Sequence, residues 1–174
     1  MSDAAFESRI SGIFSKMQQR LGSRLAAEKA KAENLQSQDT RRVAFILTEA
    51  IEEELKPAVK EALSSYEDAI SRPMTPNERW EHILTQQIGQ AVDSSVKLAL
   101  SLDRESHPWK PLLSDEAPKL RSRLVGDAEG YFEKIGKLGA RARRASDPGV
   151  EWTMRIGMLV VGVVIGFLLA KVMH

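Results

Sequence analysis

Three histidines and one acidic run are the residues of this chain whose types suit metal binding or proton transfer. His82 follows Trp80 and Glu81, and a carboxylate-bridged metal centre in a helical bundle needs a Glu-x-x-His pair on each of two helices. The residue three before His82 is Arg79, so the pattern fails there. His107 stands between Ser106 and Pro108, and His174 is the final residue of the sequence; each reads as a surface or interfacial histidine and not as a ligand. Glu52, Glu53 and Glu54, followed by Lys56 and Lys60, read as a solvated helix face with an i,i+4 pair from Glu52 to Lys56. The chain has no cysteine, which excludes disulfides, thiolate metal sites and cysteine nucleophiles and fits a reducing compartment. It also has no phosphate-binding loop, dinucleotide glycine motif, zinc-protease helix, nucleophile elbow or EF-hand. The expectation is a protein that is not an enzyme and carries neither cofactor nor metal.

The chemistry on offer is that of surfaces. Trp109, Leu112 and Leu113 lie in a segment broken by Pro108, Pro111 and Pro118. Two readings of it stand: a loop tucked onto the rest with Trp109 filling a gap, or an exposed partner-docking segment, since surface tryptophans anchor interfaces. Lys134, Lys137, Arg141, Arg143 and Arg144, with Arg155 further on, precede a run from Ile156 to Ala170 that holds no polar side chain. With Trp152 to Met154 before it and Val172 and Met173 after it, that stretch reaches ~30 Å as a helix, enough to cross a bilayer. A core helix would be apolar on one stripe only. Residues 152–174 are therefore expected to form a C-terminal transmembrane tail anchor, with Arg155 and Lys171 reaching the two interfaces. An excess of Lys and Arg stays on the cytosolic side, so residues 1–145 should face the cytosol. The same cations are placed to meet anionic lipid head groups. The membrane implied is a bacterial cytoplasmic membrane, or the outer face of a eukaryotic organelle as the alternative.

Gly162 and Gly166 form a GxxxG pattern, with Gly157 five residues before it. Small residues four apart let membrane helices approach closely, which suits a homodimer through the anchor or packing on another membrane protein. The whole chain has a net charge of +1, too balanced for a nucleic-acid partner. Its basic stretch, Trp152 and glycine-bearing span resemble the endings of small bacterial tail-anchored proteins. That resemblance covers Arg141 to the end; the long proline-broken part before it departs from them, so no function carries over.

Strand signals are nearly absent, and helical periodicity recurs throughout. The fold class expected is all-α: an elongated antiparallel bundle of about four helices, residues 1–145, joined by a linker at 146–151 to the transmembrane helix. Phe6, Ile10, Ile13, Phe14, Met17, Leu21 and Leu25 define a first helix from Ser2 or Asp3 to about Asn34. A second spans 39–71. Its apolar residues before Leu55 and those from Leu55 through Val59, Leu63, Tyr66 and Ile70 are offset by roughly 140° at 100° per residue. A kink or break at Pro57 would realign them, so Pro57→Ala is expected to raise helicity yet weaken the bundle. Thr75, Pro76 and Glu78 supply a capping box for a third helix ending near Asp103, with Trp80 in its core stripe. A loop from Arg104 to Pro118 then leads into a fourth helix over 117–145.

Functionally, the sequence points to a scaffold or adaptor that holds a helical interaction domain at a membrane and binds protein partners there. The alternatives are a structural subunit of a larger membrane complex and, less favoured, a membrane-remodelling protein inserting Phe6, Ile10, Phe14 and Met17. The mixed charges on the polar face of that helix oppose the last idea.

Overall fold

Ser2 starts the first helix. Its hydroxyl accepts from the Ala5 amide at 3.3 Å and its carbonyl from Phe6 at 3.0 Å, so amides that no turn can satisfy find partners. In this computed structural model the described residues are 2–34, 40–70, 76–102 and 107–145, with the side chains of 33, 34 and 141–145 left out. Within them lie four helices and no strand: α1 (Asp3–Asn34), α2 (Thr40–Ala69), α3 (Glu78–Ser101) and α4 (Trp109–Ala145). The expected anchor and linker, including Arg155, Gly157, Gly162 and Gly166, lie outside the described residues. No helix within them is long and apolar enough to cross a membrane.

The contacts between helices fix the topology. Arg24 of α1 meets Glu54 of α2, and Phe6 meets Tyr66, so α1 and α2 run antiparallel. Likewise Arg121 of α4 meets Asp93 of α3, while Gly136 approaches Pro76 ahead of it. Phe6 and Gly22 of α1 face Trp80 and Leu98 of α3, however, so those two run parallel. The pairs Glu52–Arg123 and Glu67–Tyr131 make α2 and α4 parallel as well. The helices thus go up, down, up, down around a square in which α1 and α4 occupy opposite corners and α2 touches α3 across the diagonal. Each has one antiparallel and one parallel neighbour, a finer arrangement than a wholly antiparallel bundle.

The interior of α2 is one stripe. Ala44, Leu47, Ile51, Leu55, Ala58, Ala62 and Tyr66 are all buried, at steps of three and four that follow one face of a straight helix. Ala58, Ala62 and Ser65 carry it through the region where the large residues drift sideways, and Leu63 is only partly buried. The alternative of two short helices therefore falls, because α2 runs unbroken from Thr40 to Ala69 with Pro57 inside it. Pro57 is exposed inside one helix, where the carbonyl left without its N–H donor can face water.

The expected loop from Arg104 to Pro118 is corrected too, because α4 begins at Trp109. Pro111 falls in its first turn, where an amide has no intrahelical acceptor to lose. Pro118 lies in the interior on the exposed side. Trp109, Leu113, Leu120, Leu124, Ala128, Phe132 and Ile135 form one buried stripe through both prolines, and the burial outweighs ~3 kcal/mol of proline cost. The third helix is capped by Asn77, two residues later than expected. Its side chain accepts from the Trp80 amide at 3.2 Å.

Three helical glycines, Gly12, Gly126 and Gly130, are exposed, and an added Cβ at any of them meets nothing within 4 Å. Replacement by Ala restricts the unfolded chain without a clash, so each should raise stability by about 0.5–1 kcal/mol in urea melts. Gly89 should gain less, because its Cβ would press the Arg121 guanidinium at 2.9 Å and disturb its pairing with Asp93.

Candidate interaction surface

Four rings, one from each helix, close one end of the bundle. Phe6 stacks on Trp80 with centroids 4.8 Å apart at 13° and meets Tyr66 edge-on at 6.3 Å, while Tyr66 meets Phe132 edge-on at 5.1 Å. Their polar tips are satisfied. Trp80 Nε1 donates to Asp3 at 2.8 Å, and the Tyr66 hydroxyl donates to Glu81 at 2.6 Å while accepting the Asn77 amide at 3.2 Å. Burial first, then the Glu81 carboxylate, pushes the Tyr66 hydroxyl far above its usual range. This end holds the helices in register, and beside it lies a hollow of about 610 Å³ lined by Ile70, Pro76, Asn77, Glu78, Arg79 and Trp80.

The acidic run does more than solvate a face. Glu52 pairs with Lys56 at 2.9 Å, as the spacing predicts, and also accepts from Arg123 of α4 at 3.0 Å. Glu53 and Glu54 both hold Arg24 of α1, the latter at 3.0 Å. The three consecutive carboxylates thus tie α2 to both its lateral neighbours. The missed signal was the placement of Arg24 and Arg123, which no local spacing reveals. Lys56, then Arg123, hold the Glu52 carboxyl below its ordinary value against an opposing effect of burial. Stability from a depressed carboxyl is present above its unfolded pKa of about 4.3 and is lost as pH falls through the folded value. Urea midpoints of the wild type and Glu52→Gln should therefore differ at pH 7 and draw together below about pH 4, by under ~1 kcal/mol because the pairs are screened.

The face between α2 and α4 carries two hollows. Near the start of both helices a groove of about 880 Å³ is lined by Phe45, Thr48, Leu112, Lys119 and others, and Phe45 is 65% exposed. Further along, a second hollow of about 400 Å³ lies over Val59, Leu63, Leu124 and Tyr131. There Tyr131 donates to Glu67, and burial followed by that carboxylate raises its hydroxyl to about 12.

The predicted surface residues divide. Trp109 and Leu113 are buried in the stripe of α4, with Lys110 Nζ 5.9 Å from the Trp109 ring centre and His107 nearly parallel to it. Trp109 thus fills a gap in the bundle, at the start of a helix and not in a loop. Leu112 alone of the three lines the open groove. Lys134 and Lys137 are exposed on α4, the latter paired with Glu133. The side chains of Arg141, Arg143 and Arg144 lie outside the described ones. Among the described residues no three of His, Asp or Glu come together as a metal site. No protein-family model, curated protein or solved structure matches the chain.

Proposed function

We propose that this chain is a single-pass membrane scaffold: a four-helix interaction domain held at the cytosolic face of a membrane by residues 152–174, acting on protein partners through its helical faces. The observation that carries the reading is the run from Ile156 to Ala170, fifteen residues without a polar side chain behind a stretch rich in Lys and Arg. Its length suits a bilayer and its charge asymmetry sets the orientation. Anchoring a rigid domain raises its effective concentration towards anything else confined to the same surface. The long helices and polar ties give such a domain persistent faces, and the α2–α4 groove, with the exposed Phe45 in it, is the one proposed for docking. Phe6, Ile10, Phe14 and Met17 are buried together. Inserting them into lipid would cost the bundle its core, which leaves the remodelling alternative without support.

Reporters fused to either end should place residue 1 in the cytosol, and removal of 152–174 should release the remainder as soluble protein. An N-terminal reporter on the far side, or a truncated protein that stays with membranes in high salt, would overturn the reading.

A further inference from the structure

The large hydrophobic residues that stay exposed are Phe45 and Leu138, 65% and 47% accessible among the described residues. They stand towards opposite ends of one face. Phe45 lines the α2–α4 groove directly. Leu138 follows Leu124 and Tyr131 at successive seven-residue steps, which return to nearly the same side of a helix. Those two residues line the second hollow with Val59 and Leu63. Because Tyr131 of α4 is level with Glu67, and α2 stops at Ala69, nothing from α2 reaches far enough to cover Leu138. Along α4, the hollow that Leu124 and Tyr131 line with α2 is thus followed by the exposed Leu138.

This strip of α4, from Leu124 to Leu138, lies next to where the apolar run must emerge. Leu138 is seven residues, ~10 Å along the helix, from Ala145. Residues 146–151 can span up to ~20 Å when extended, enough to reverse direction across one helix diameter. From there the fifteen residues 156–170 cover the ~21 Å from Leu138 back to Leu124 whether extended or helical. Their lack of any polar side chain matches the floor of Val59, Leu63 and Leu124, around which Lys56, Lys60, Glu67 and Asp127 form the rim. As a helix, the run stops short of the Phe45 end.

We propose that, before a membrane is met, residues 156–170 lie along the Leu124–Leu138 strip of their own chain, so that the bundle shields its membrane segment from water. The inference rests on the reading of 152–174 as the membrane segment. The shield is weaker than the bilayer by construction. A shallow groove covers one side of the run, whereas lipid surrounds it, and transfer energy scales with the apolar area removed from water. Contact with a bilayer therefore draws the segment out of the groove, and the strip becomes free for a partner once the protein is anchored.

The absence of cysteine makes the test direct. Full-length protein carrying Leu138→Cys and Val163→Cys, synthesised without lipid or detergent, is treated with a short thiol cross-linker. A second pair, Ser15→Cys with Val163→Cys, is the control, because Ser15 lies in the α1–α3 groove on the far side. The expected result is an intramolecular cross-link for Leu138→Cys about tenfold or more above the control, the signature of a high effective concentration. Liposomes added first should abolish it. In a third pair, Ser64→Cys with Val163→Cys, adding Leu138→Glu should lower the yield without unfolding the bundle, since the side chain it alters is exposed. Equal yields from Leu138→Cys and Ser15→Cys, no intramolecular product, or cross-links only between two copies would each overturn the proposal. Flotation of the same protein with liposomes reads the membrane reading separately. Cross-linking without flotation sinks the anchor and leaves the shield, and flotation without cross-linking does the reverse.

Discussion

Trp80→Ala is expected to lower the free energy of unfolding by about 3–5 kcal/mol, the largest effect of a single substitution in the bundle. Trp80 is 6% exposed and stacks on Phe6, which leans on Tyr66, which in turn leans on Phe132. Truncation opens a cavity where all four helices meet, and it removes the N–H that occupies Asp3. Asp3 retains Arg79 at 2.8 Å, so the carboxylate is not stranded. Trp80→Phe separates the two contributions. It keeps most of the stacked area and loses only the indole donor, so it should cost about 1–2 kcal/mol. Urea denaturation followed by far-ultraviolet circular dichroism measures both. A loss below about 1 kcal/mol for the alanine variant would show that the aromatic end is not where the bundle is held.

Pro57→Ala should act in the opposite direction and raise stability by about 1–3 kcal/mol. The new amide can donate to the Glu53 carbonyl, and an alanine on the exposed side of α2 meets no neighbour's core. The buried stripe is continuous across this point, so restoring the amide moves no core residue to a different partner. A rise in the urea midpoint together with a gain in helicity is the expected pair of observations. A gain in helicity with a fall in stability would mean that packing depends on a bend at Pro57, the outcome the sequence by itself suggests.

The helix stripes show where the sequence is legible and where it is not. The stripe of α1 reads directly because its interior residues are large: Phe6, Ile10, Phe14, Met17, Leu21 and Leu25 are all buried as their spacing predicts. In α2 the interior passes through Ala58, Ala62 and Ser65, which periodicity weighs lightly, and the larger Leu63 draws the apparent face sideways. At the start of α4, Pro111 and Pro118 speak locally against a helix. The evidence for one is the distant match of Trp109 and Leu113 to the rest of the core. Asn77 is a cap hidden behind the better-looking Thr75 and Glu78. Around the acidic run, local pairings were readable and long-range ones were not. Glu52 to Lys56 follows from spacing, whereas Glu52 to Arg123 spans 71 residues and depends on α2 and α4 being parallel neighbours. The open face between those helices is likewise a property of their arrangement, with no signature in either helix alone.

The arrangement also decides how the domain responds to a mechanical load. Asp3 beside Arg79 and Trp80, and Gly136 beside Pro76, place the start of α1 and the departing end of α4 at the same end of the bundle. Tension between those two points acts across the helices and not along them. It peels α4 from α2 and α3 one turn at a time, beginning at Ile135 and Phe132, instead of shearing whole interfaces together. A pull between the far connections, near residues 34 and 107, meets the bundle from its other end, where Trp109 and Leu113 stand in place of the stacked rings. The molecule therefore has a direction of weakness, and the four aromatic residues lie across the seam that a force through the C-terminal side of α4 opens first.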